Sequence, residues 1–327
     1  MKKLIVAMLS IILILGCVSF FGGCDKKNEN VIRLNEVTHS VFYAPLYVAI
    51  NQNYFKDVGL TIELTNGGGA DKTMTAVVSG QADIGFCGPE AVIYVYNEGR
   101  KDYPKVFAGL TAMDGSFLIG RTDEAFDWAT SLKGKEIIGG RKGGVPAMSL
   151  EYALKQAGYD LTKDVKINYD VQFDLITAAF ESGVGDYCTM FEPGASAYEN
   201  AKKGYVLASI GEHSGRIPYT CFCATQKYLS ENAETIKKFT AALDKAVKFV
   251  NEKSAEEIAE AVAPSFAGTD KSLLVKAIDN YKKIGAYVSK MSIEKEDFDR
   301  LQDIIISSGV YEEKADFYKI VDNSYVE

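Results

Sequence analysis

Residues 31–86 of the chain read VIRLNEVTHSVFYAPLYVAINQNYFKDVGLTIELTNGGGADKTMTAVVSGQADIGF, and this stretch decides the fold. Strand and helix patterns alternate along it, with strands predicted at 31–37, 60–64 and 82–86 and helices at 45–54 and 71–79. Pro45 suits the first turn of its helix, where a missing N–H leaves no hydrogen bond unmade. This alternation predicts a mostly parallel sheet covered by helices on both faces.

The alternation continues beyond this stretch and then restarts. Further strands are predicted at 106–111, 117–121, 136–138, 165–169, 186–191, 205–210 and 218–224. Further helices are predicted at 88–96, 146–157, 175–182, 193–203, 233–251, 255–262, 271–287 and 295–308. Because no long linker separates the blocks, we expect two α/β lobes joined by strands that cross between them.

The composition is typical of a globular protein of about two domains, with 327 residues, 47% hydrophobic and 24% charged. The chain carries 36 basic and 44 acidic residues, a net charge of -8. Its first 23 residues hold two lysines and no acid, so the remainder has 34 basic against 44 acidic residues, or -10. Because this charge does not attract nucleic acid, no nucleic-acid partner is expected.

The chain begins with a pattern that resembles a bacterial lipoprotein signal. Two lysines precede an apolar run at 4–16, which is too short to span a membrane comfortably. We predict that residues 1–23 are a signal peptide, that 24–30 form a tether, and that Cys24 is lipidated, with Cys17 as the competing site. An uncleaved anchor helix is the alternative. Both interpretations place the protein on the outer face of the cytoplasmic membrane.

Four further cysteines, Cys87, Cys188, Cys221 and Cys223, are too few to form a disulfide scaffold in a chain of this length. Cys221 and Cys223 fall on one face of a predicted strand and cannot easily bond to each other. We therefore predict buried thiols at all four positions.

Several short motifs follow one another in a recognisable order. They are APLYVAINQNYFKDVGL at 44–60, GGG at 67–69, VSGQADIG at 78–85, LKGK at 132–135 and FEP at 191–193. With them the chain resembles the nitrate/sulfonate/thiamine-pyrimidine group of ABC-transporter substrate-binding proteins over nearly its whole mature length. The resemblance implies a type II periplasmic-binding-protein fold, with a ligand cleft between two α/β lobes and hinge strands that cross between them. Lobe 1 would comprise 31–121 and 218–327, and lobe 2 would comprise 122–217.

The position of the cleft also follows from the strand order. Ligands of open α/β sheets bind beyond the carboxyl ends of the strands, where glycines allow close approach and helix N-termini offer free N–H groups. We predict the following ligand-binding residues in the loops there and beside them: Thr38, His39, Phe42, Tyr43, Gly68, Gly69, Gly88, Pro89, Gly140, Gly143, Gly144, Phe173, Glu192 and Tyr219.

Three of these assignments have structural alternatives. Phe42 and Tyr43 could anchor the first helix in the core. The glycines at 139–144 could form an ordinary turn, with its basic residues solvated and not opposite an anion. Glu192 could cap the helix that follows it and not bind ligand, and Glu90 and Asp174 are weaker versions of the same case.

We expect the protein to capture a small solute by closing its lobes and to deliver the solute to an ABC permease with its ATPase. The aromatic residues and Glu192 favour a small nitrogen-containing aromatic of the thiamine-pyrimidine-precursor type, with an alkanesulfonate-like organic anion next. We expect no cofactor, no metal and no catalysis, a monomeric state, and membrane contact through the lipid anchor.

An enzyme is the alternative. The segment YTCFC at 219–223 is similar to the end of the cysteine-rich segment in the fungal thiamine-pyrimidine synthases, which share the implied fold. Here Tyr219 and Thr220 stand at its first two positions in place of cysteine. That departure argues against iron binding.

Overall fold

The computed structural model describes residues 30–172 and 175–326, and its strands form two five-stranded sheets. The first sheet has the order β2-β1-β3-β10-β4 and the second has the order β7-β6-β8-β5-β9. The strands are β1 (Val31–Glu36), β2 (Thr61–Asn66), β3 (Ile84–Cys87), β4 (Pro104–Thr111), β5 (Ser116–Gly120), β6 (Glu136–Ile138), β7 (Lys166–Asn168), β8 (Tyr187–Phe191), β9 (Tyr205–Ser209) and β10 (Thr220–Thr225).

Helices follow most of the strands, as the alternation predicted. They are α1 (Ala44–Asn51), α2 (Tyr54–Asp57), α3 (Ala70–Val78), α4 (Glu90–Asn97), α5 (Val145–Gln156), α6 (Ile176–Glu181), α7 (Gly194–Asn200), α8 (Ile210–Ser214), α9 (Gln226–Glu231), α10 (Ala233–Glu252), α11 (Ala255–Val262), α12 (Lys271–Lys283), α13 (Lys295–Ser307) and α14 (Phe317–Ile320). Short 3-10 turns occur at Val41–Tyr43, Ala263–Phe266 and Asn323–Tyr325.

Both sheets are mixed, because one strand in each, β10 in the first and β5 in the second, runs antiparallel to its paired neighbours. β1 and β3 are parallel, and β6 is parallel to β7 and β8. In contrast, β10 is antiparallel to β3 and β4, and β5 is antiparallel to β8 and β9. The cause is the connectivity: β5 and β10 directly follow the two chain crossings between the sheets. Each therefore begins at the edge where its neighbours end.

The two crossings lie side by side. The backbone N–H groups of Ile217 and Tyr219 donate to the carbonyls of Ala112 and Thr111, at 3.0 and 3.1 Å. β5 lies in the second sheet, although the limits expected from the resemblance place it in lobe 1. We propose that the first crossing, at 112–115, is where lobe 1 gives way to lobe 2.

The helical region after residue 231 packs on the first sheet and also reaches the second lobe. Phe239 of α10 stacks on Phe55 of α2, with ring centroids 5.1 Å apart. The helix expected at 271–287 ends earlier, at Lys283, because Gly285 adopts a φ of 67° that terminates it. From α12, Lys276 forms an ion pair of 2.9 Å with Glu199 of α7 in the second lobe.

The four cysteines outside the N-terminal segment are free and buried, which confirms that prediction. Cys221 of β10 lies opposite Cys87 of β3 in the first sheet. In the described ranges, no helix combines the length and the apolar character needed to cross a membrane. Cys17, Cys24 and the predicted signal peptide lie outside the described residues.

Candidate functional site

The loops at the carboxyl ends of the parallel strands in the two sheets face and contact each other. Ser40, after β1, donates its hydroxyl to the carbonyl of Glu192, after β8, at 3.3 Å. Tyr94 of α4 donates its hydroxyl to the carbonyl of Gly143, in the loop before α5, at 3.0 Å. The described structure therefore brings residues of both lobes together at one junction, the place where the strand order predicted a cleft.

Phe42 lies at the centre of this junction. It is fully buried, and its ring contacts the rings of Tyr43, Phe191, Tyr219 and Tyr281, with centroids 4.7 to 5.8 Å apart. These contacts agree with the interpretation of Phe42 and Tyr43 as core anchors. Burial is also the first cause of the raised pKa of Tyr43.

His39 does not join this junction. Its Nδ1 lies 2.9 Å from Glu36 Oε1, and its Nε2 lies 2.8 Å from the carbonyl of Ser265. Tyr47 completes the arrangement by donating its hydroxyl to the other carboxylate oxygen of Glu36 at 2.5 Å. Both ring nitrogens are thus bonded within lobe 1, which assigns His39 a structural role in this conformation. Thr38, immediately before it, is half-buried.

The carboxylate of Glu192 caps the helix that follows it, which is the alternative considered for this residue. Its Oε2 accepts a hydrogen bond from the backbone N–H of Ser196 at 3.0 Å. Its Oε1 accepts from the Ser196 hydroxyl and from Asn280 Nδ2, both at 2.7 Å. Because the buried carboxylate already has three donors, its binding role toward a ligand stays a prediction.

The predicted glycines lie in three different settings. Gly68 is exposed and Gly69 is half-buried. The backbone N–H of Gly68 donates to Asn66 Oδ1, and that of Gly69 donates to the carbonyl of Val37, so both glycines bond within lobe 1. Gly140 and Gly144 are buried and Gly143 half-buried, while the neighbouring Arg141 and Lys142 are exposed. Phe173 and Asp174 lie outside the described residues.

Gly88 makes room for a carboxylate, and Pro89 after it is buried. A Cβ on Gly88 would lie 1.9 Å from Glu90 Oε2, so a larger residue here would displace the Glu90 carboxylate from its present position. Glu90 is 3% exposed. Burial raises its pKa from 4.5 to about 7, against weaker opposing effects that include the charge of Arg141.

Two polar residues of the junction were missed by sequence reasoning. Asp114 lies in the first crossing and Ser149 in α5, and both are fully buried. Burial raises the pKa of Asp114 from 3.8 to about 6, although its Oδ1 accepts a hydrogen bond of 2.7 Å from the backbone N–H of Ser116. A lone acid within the apolar run LTAMDGSFL at 110–118 was the available signal.

Two cavities lie on the surface, and neither is lined by the loops that bring the two lobes into contact through Ser40 and Tyr94. One of about 420 Å³ lies beside β7, lined by residues that include Lys163, Lys166 and Tyr169. Another of about 100 Å³ lies beside the two crossings, where Ala112 and Ile217 line it together with Ser289. No predicted site residue lines either cavity. Within 30–172 and 175–326, no group of three or more His, Cys, Asp or Glu side chains is placed to hold a metal ion.

Comparison with known proteins gives matches along most of the chain. A family model described as "NMT1/THI5 like" matches residues 41–257. The "Putative binding protein YtlA" of Bacillus subtilis (strain 168) is 41% identical over 305 residues, which cover 92% of this chain and 91% of that protein. The 4-amino-5-hydroxymethyl-2-methylpyrimidine phosphate synthase of Aspergillus parasiticus is 25% identical over 229 residues, covering 64% of this chain and 63% of that one.

A solved structure confirms the fold. The periplasmic aliphatic sulphonate binding protein SsuA from Escherichia coli superimposes with a TM-score of 0.71 at 17% sequence identity, covering 91% of this chain and 99% of that one. The chain therefore has the two-lobed fold of the type II periplasmic binding proteins, as the order of its motifs implied.

Proposed function

The chain belongs to the NMT1/THI5-like family, and from this premise we propose that it is a solute-binding protein of an ABC importer. The observation that carries the proposal is the contact between loops of the two lobes at the ends of their parallel strands, through Ser40 with Glu192 and Tyr94 with Gly143. A protein that captures a solute needs this arrangement. Its lobes can close around the ligand while the two paired crossings absorb the change in backbone angles.

The relatives support a binding role more strongly than an enzymatic one. The bacterial relative at 41% identity is named as a binding protein, and the synthase matches at 25% over about two thirds of its length. We propose that the solute is a small nitrogen-containing aromatic of the thiamine-pyrimidine-precursor type, with an alkanesulfonate-like anion as the second class. The aromatic cluster around Phe42 supports the first class, because flat rings pack well against aromatic side chains.

The proposal also covers the cellular location of the protein, its lipid anchor and its partners. SsuA, which shares the fold, is a periplasmic protein, and this supports a location outside the cytoplasmic membrane. We propose that Cys24, or alternatively Cys17, carries the lipid anchor, that the protein is a monomer, and that its partners are a permease and its ATPase. A single acyl chain binds membranes only marginally, so two chains on one cysteine would give stable attachment.

A thermal-shift experiment tests the binding role. The full chain, purified in mild detergent, is heated with 4-amino-5-hydroxymethyl-2-methylpyrimidine, ethanesulfonate or nitrate. A ligand that binds the folded state at 100 times its Kd adds about 2.7 kcal/mol of stability, which raises the Tm by several degrees. The solute-binding proposal fails if none of the three changes the Tm, and a response to ethanesulfonate alone contradicts the preferred ligand class.

The synthase is the second candidate, favoured by the match to the Aspergillus parasiticus enzyme and by the cysteines of β10. In the structure Cys221 is buried, and burial is the first cause of the raised pKa of its thiol. Turnover that requires iron and is lost in Cys221→Ala would support the enzyme. Ligand binding without turnover, unchanged by that substitution, supports the binding protein.

A further inference from the structure

Four buried polar atoms at the junction of the lobes have no hydrogen-bond partner among the residues the structure describes. They are Glu90 Oε2, Asp114 Oδ2, Ser149 Oγ and Tyr219 OH. Each of these residues is at most 5% exposed. Buried polar atoms without partners are rare in folded proteins, and each one calls for an explanation. Four in one neighbourhood point to a missing group that would satisfy them.

The four residues come from both lobes and from both crossings. Glu90 begins α4 in lobe 1, and Ser149 lies in α5 of lobe 2. Asp114 belongs to the first crossing, and Tyr219 to the second, next to β10. A movement of the lobes relative to each other would separate Glu90 from Ser149, so this part of the arrangement depends on closure.

Asp114 lies at the centre of the set, beside the hydroxyls of Tyr219 and Ser149. The hydroxyls of Tyr219 and Ser149 lie near enough to Asp114 to stabilise its charge, although neither forms a hydrogen bond of good geometry. Burial first, and then the charge of Asp114, raise the pKa of Tyr219 well above its ordinary value, and Glu90 contributes in the same direction. Tyr219 is thus next to Asp114, and Glu90 acts on it more weakly.

The chemistry of this set selects its ligand. An ionised carboxylate only accepts hydrogen bonds, and a hydroxyl can do either. Two carboxylates repel an anion, and the exposed Arg141 only partly offsets the charge of Glu90. A protonated or amino-substituted nitrogen group would supply the donors that the four atoms lack, and its hydrogen bonds to charged oxygens would be strong.

We propose that Asp114, Ser149, Tyr219 and Glu90 form a subsite, called here the acidic subsite, that binds the N–H donors of a basic nitrogen group on the solute. This inference rests on the proposed solute-binding function and deepens it, because it excludes a purely anionic solute such as an alkanesulfonate. It also assigns a binding role to Asp114 and Ser149.

Two ring compounds of opposite charge test the acidic subsite. Benzamidine and benzenesulfonate share the aromatic ring but carry an amidinium and a sulfonate, and 4-aminopyrimidine adds a neutral ring base. Titration calorimetry of the full chain in detergent at pH 8 should show binding of benzamidine and 4-aminopyrimidine and none of benzenesulfonate. Asp114→Asn should weaken binding of benzamidine about tenfold or more, because the substitution replaces an ionised acceptor.

Two further variants separate a binding role from a structural one. Ser149→Ala removes one acceptor without changing charge and should weaken both nitrogen compounds severalfold. Asp123→Asn removes one exposed charge away from the junction and should leave all affinities unchanged. Far-UV circular dichroism and the Tm of each ligand-free variant show that it is folded.

Each outcome decides the inference. Binding of benzenesulfonate in preference to benzamidine, or full affinity of Asp114→Asn for the nitrogen compounds, overturns the acidic subsite but leaves the solute-binding function standing. Binding of none of the three compounds overturns the acidic subsite as proposed, and the thermal-shift experiment then decides the broader function on its own. Loss of affinity in Asp114→Asn and Ser149→Ala, but not in Asp123→Asn, supports the acidic subsite.

Discussion

Replacing Glu90 with glutamine should stabilise the ligand-free protein at alkaline pH. Glu90 is 3% exposed, and its Oε2 has no hydrogen-bond partner in the described part of the chain. Burial raises its pKa from 4.5 to about 7. A difference of about 2.5 between the pKa values of the unfolded and folded states corresponds to about 3 kcal/mol, since one pKa unit is about 1.4 kcal/mol.

The sign and the pH window follow from proton linkage. Between pH 4.5 and about 7 the folded protein retains a proton on Glu90 that the unfolded chain has released, so stability falls as the pH rises through this window. Glutamine cannot ionise and escapes the loss. The stability gained by Glu90→Gln should therefore be about 1 kcal/mol at pH 5 and about 3 kcal/mol at pH 8.

Urea unfolding of the full chain in detergent at the two pH values measures this difference. Glu98→Gln is the matched control, because Glu98 is exposed at the other end of the same helix, and its effect should be small at both pH values. A gain of equal size at pH 5 and pH 8, or a loss at pH 8, would refute the view that Glu90 is a desolvated charge.

Two further predictions concern packing and contact between the lobes. Gly115→Ala should lower the free energy of unfolding by about 1–3 kcal/mol in urea titrations, because the new Cβ would lie 2.6 Å from Cζ of Phe42. Gly194→Ala is the control and should leave the free energy of unfolding unchanged, because no heavy atom lies within 4 Å of its new Cβ. Tyr94→Phe removes the hydrogen bond to the Gly143 carbonyl and should lower the free energy of unfolding by about 0.5–1.5 kcal/mol in the same assay. Small-angle X-ray scattering of the ligand-free variant should show a larger radius of gyration than that of the original protein. An unchanged radius would contradict a role of this hydrogen bond in closure.

Most individual elements could be predicted from the sequence, because local patterns fix them. The strand Glu136–Ile138 and the helix Ala255–Val262 have the expected limits. In the latter, Ser254 and Glu257 form a capping box that marks the start of the helix in the sequence itself. Signals of this kind need no information about the rest of the chain.

Sheet membership could not be predicted in the same way. The residues of β5 show the apolar pattern of a strand, but nothing local indicates that the chain has already crossed to the other sheet. The direction of β10 depends likewise on the crossing before it. Strand pairing is set by partners distant in the sequence, so both assignments required the folded chain.

The residues of the candidate site also differ in whether local sequence features or only the fold identifies them. The sequence located its loops, because glycines and strand ends are local features, and it selected Phe42, Tyr219 and Glu192 among residues that lie at the junction. It selected His39 as well, whose partners Glu36 and Ser265 hold it elsewhere in lobe 1. It missed Asp114 and Ser149, because only the fold shows that their polar atoms are buried without partners.

The buried acids Glu90 and Asp114 also suggest how ligand binding would favour closure of the lobes. When the lobes are in contact and no ligand is bound, the carboxylates of Glu90 and Asp114 are buried. Removing these charges from water costs free energy, and their raised pKa values reflect that cost. An open form that exposed these carboxylates to water would remove that cost. A solute that donates hydrogen bonds to them would remove the cost in the closed form and gain nothing comparable in the open form. Because a ligand shifts a conformational equilibrium only by its difference in affinity for the two states, the acidic subsite would supply that difference, and the closed form would then signal that a solute is bound.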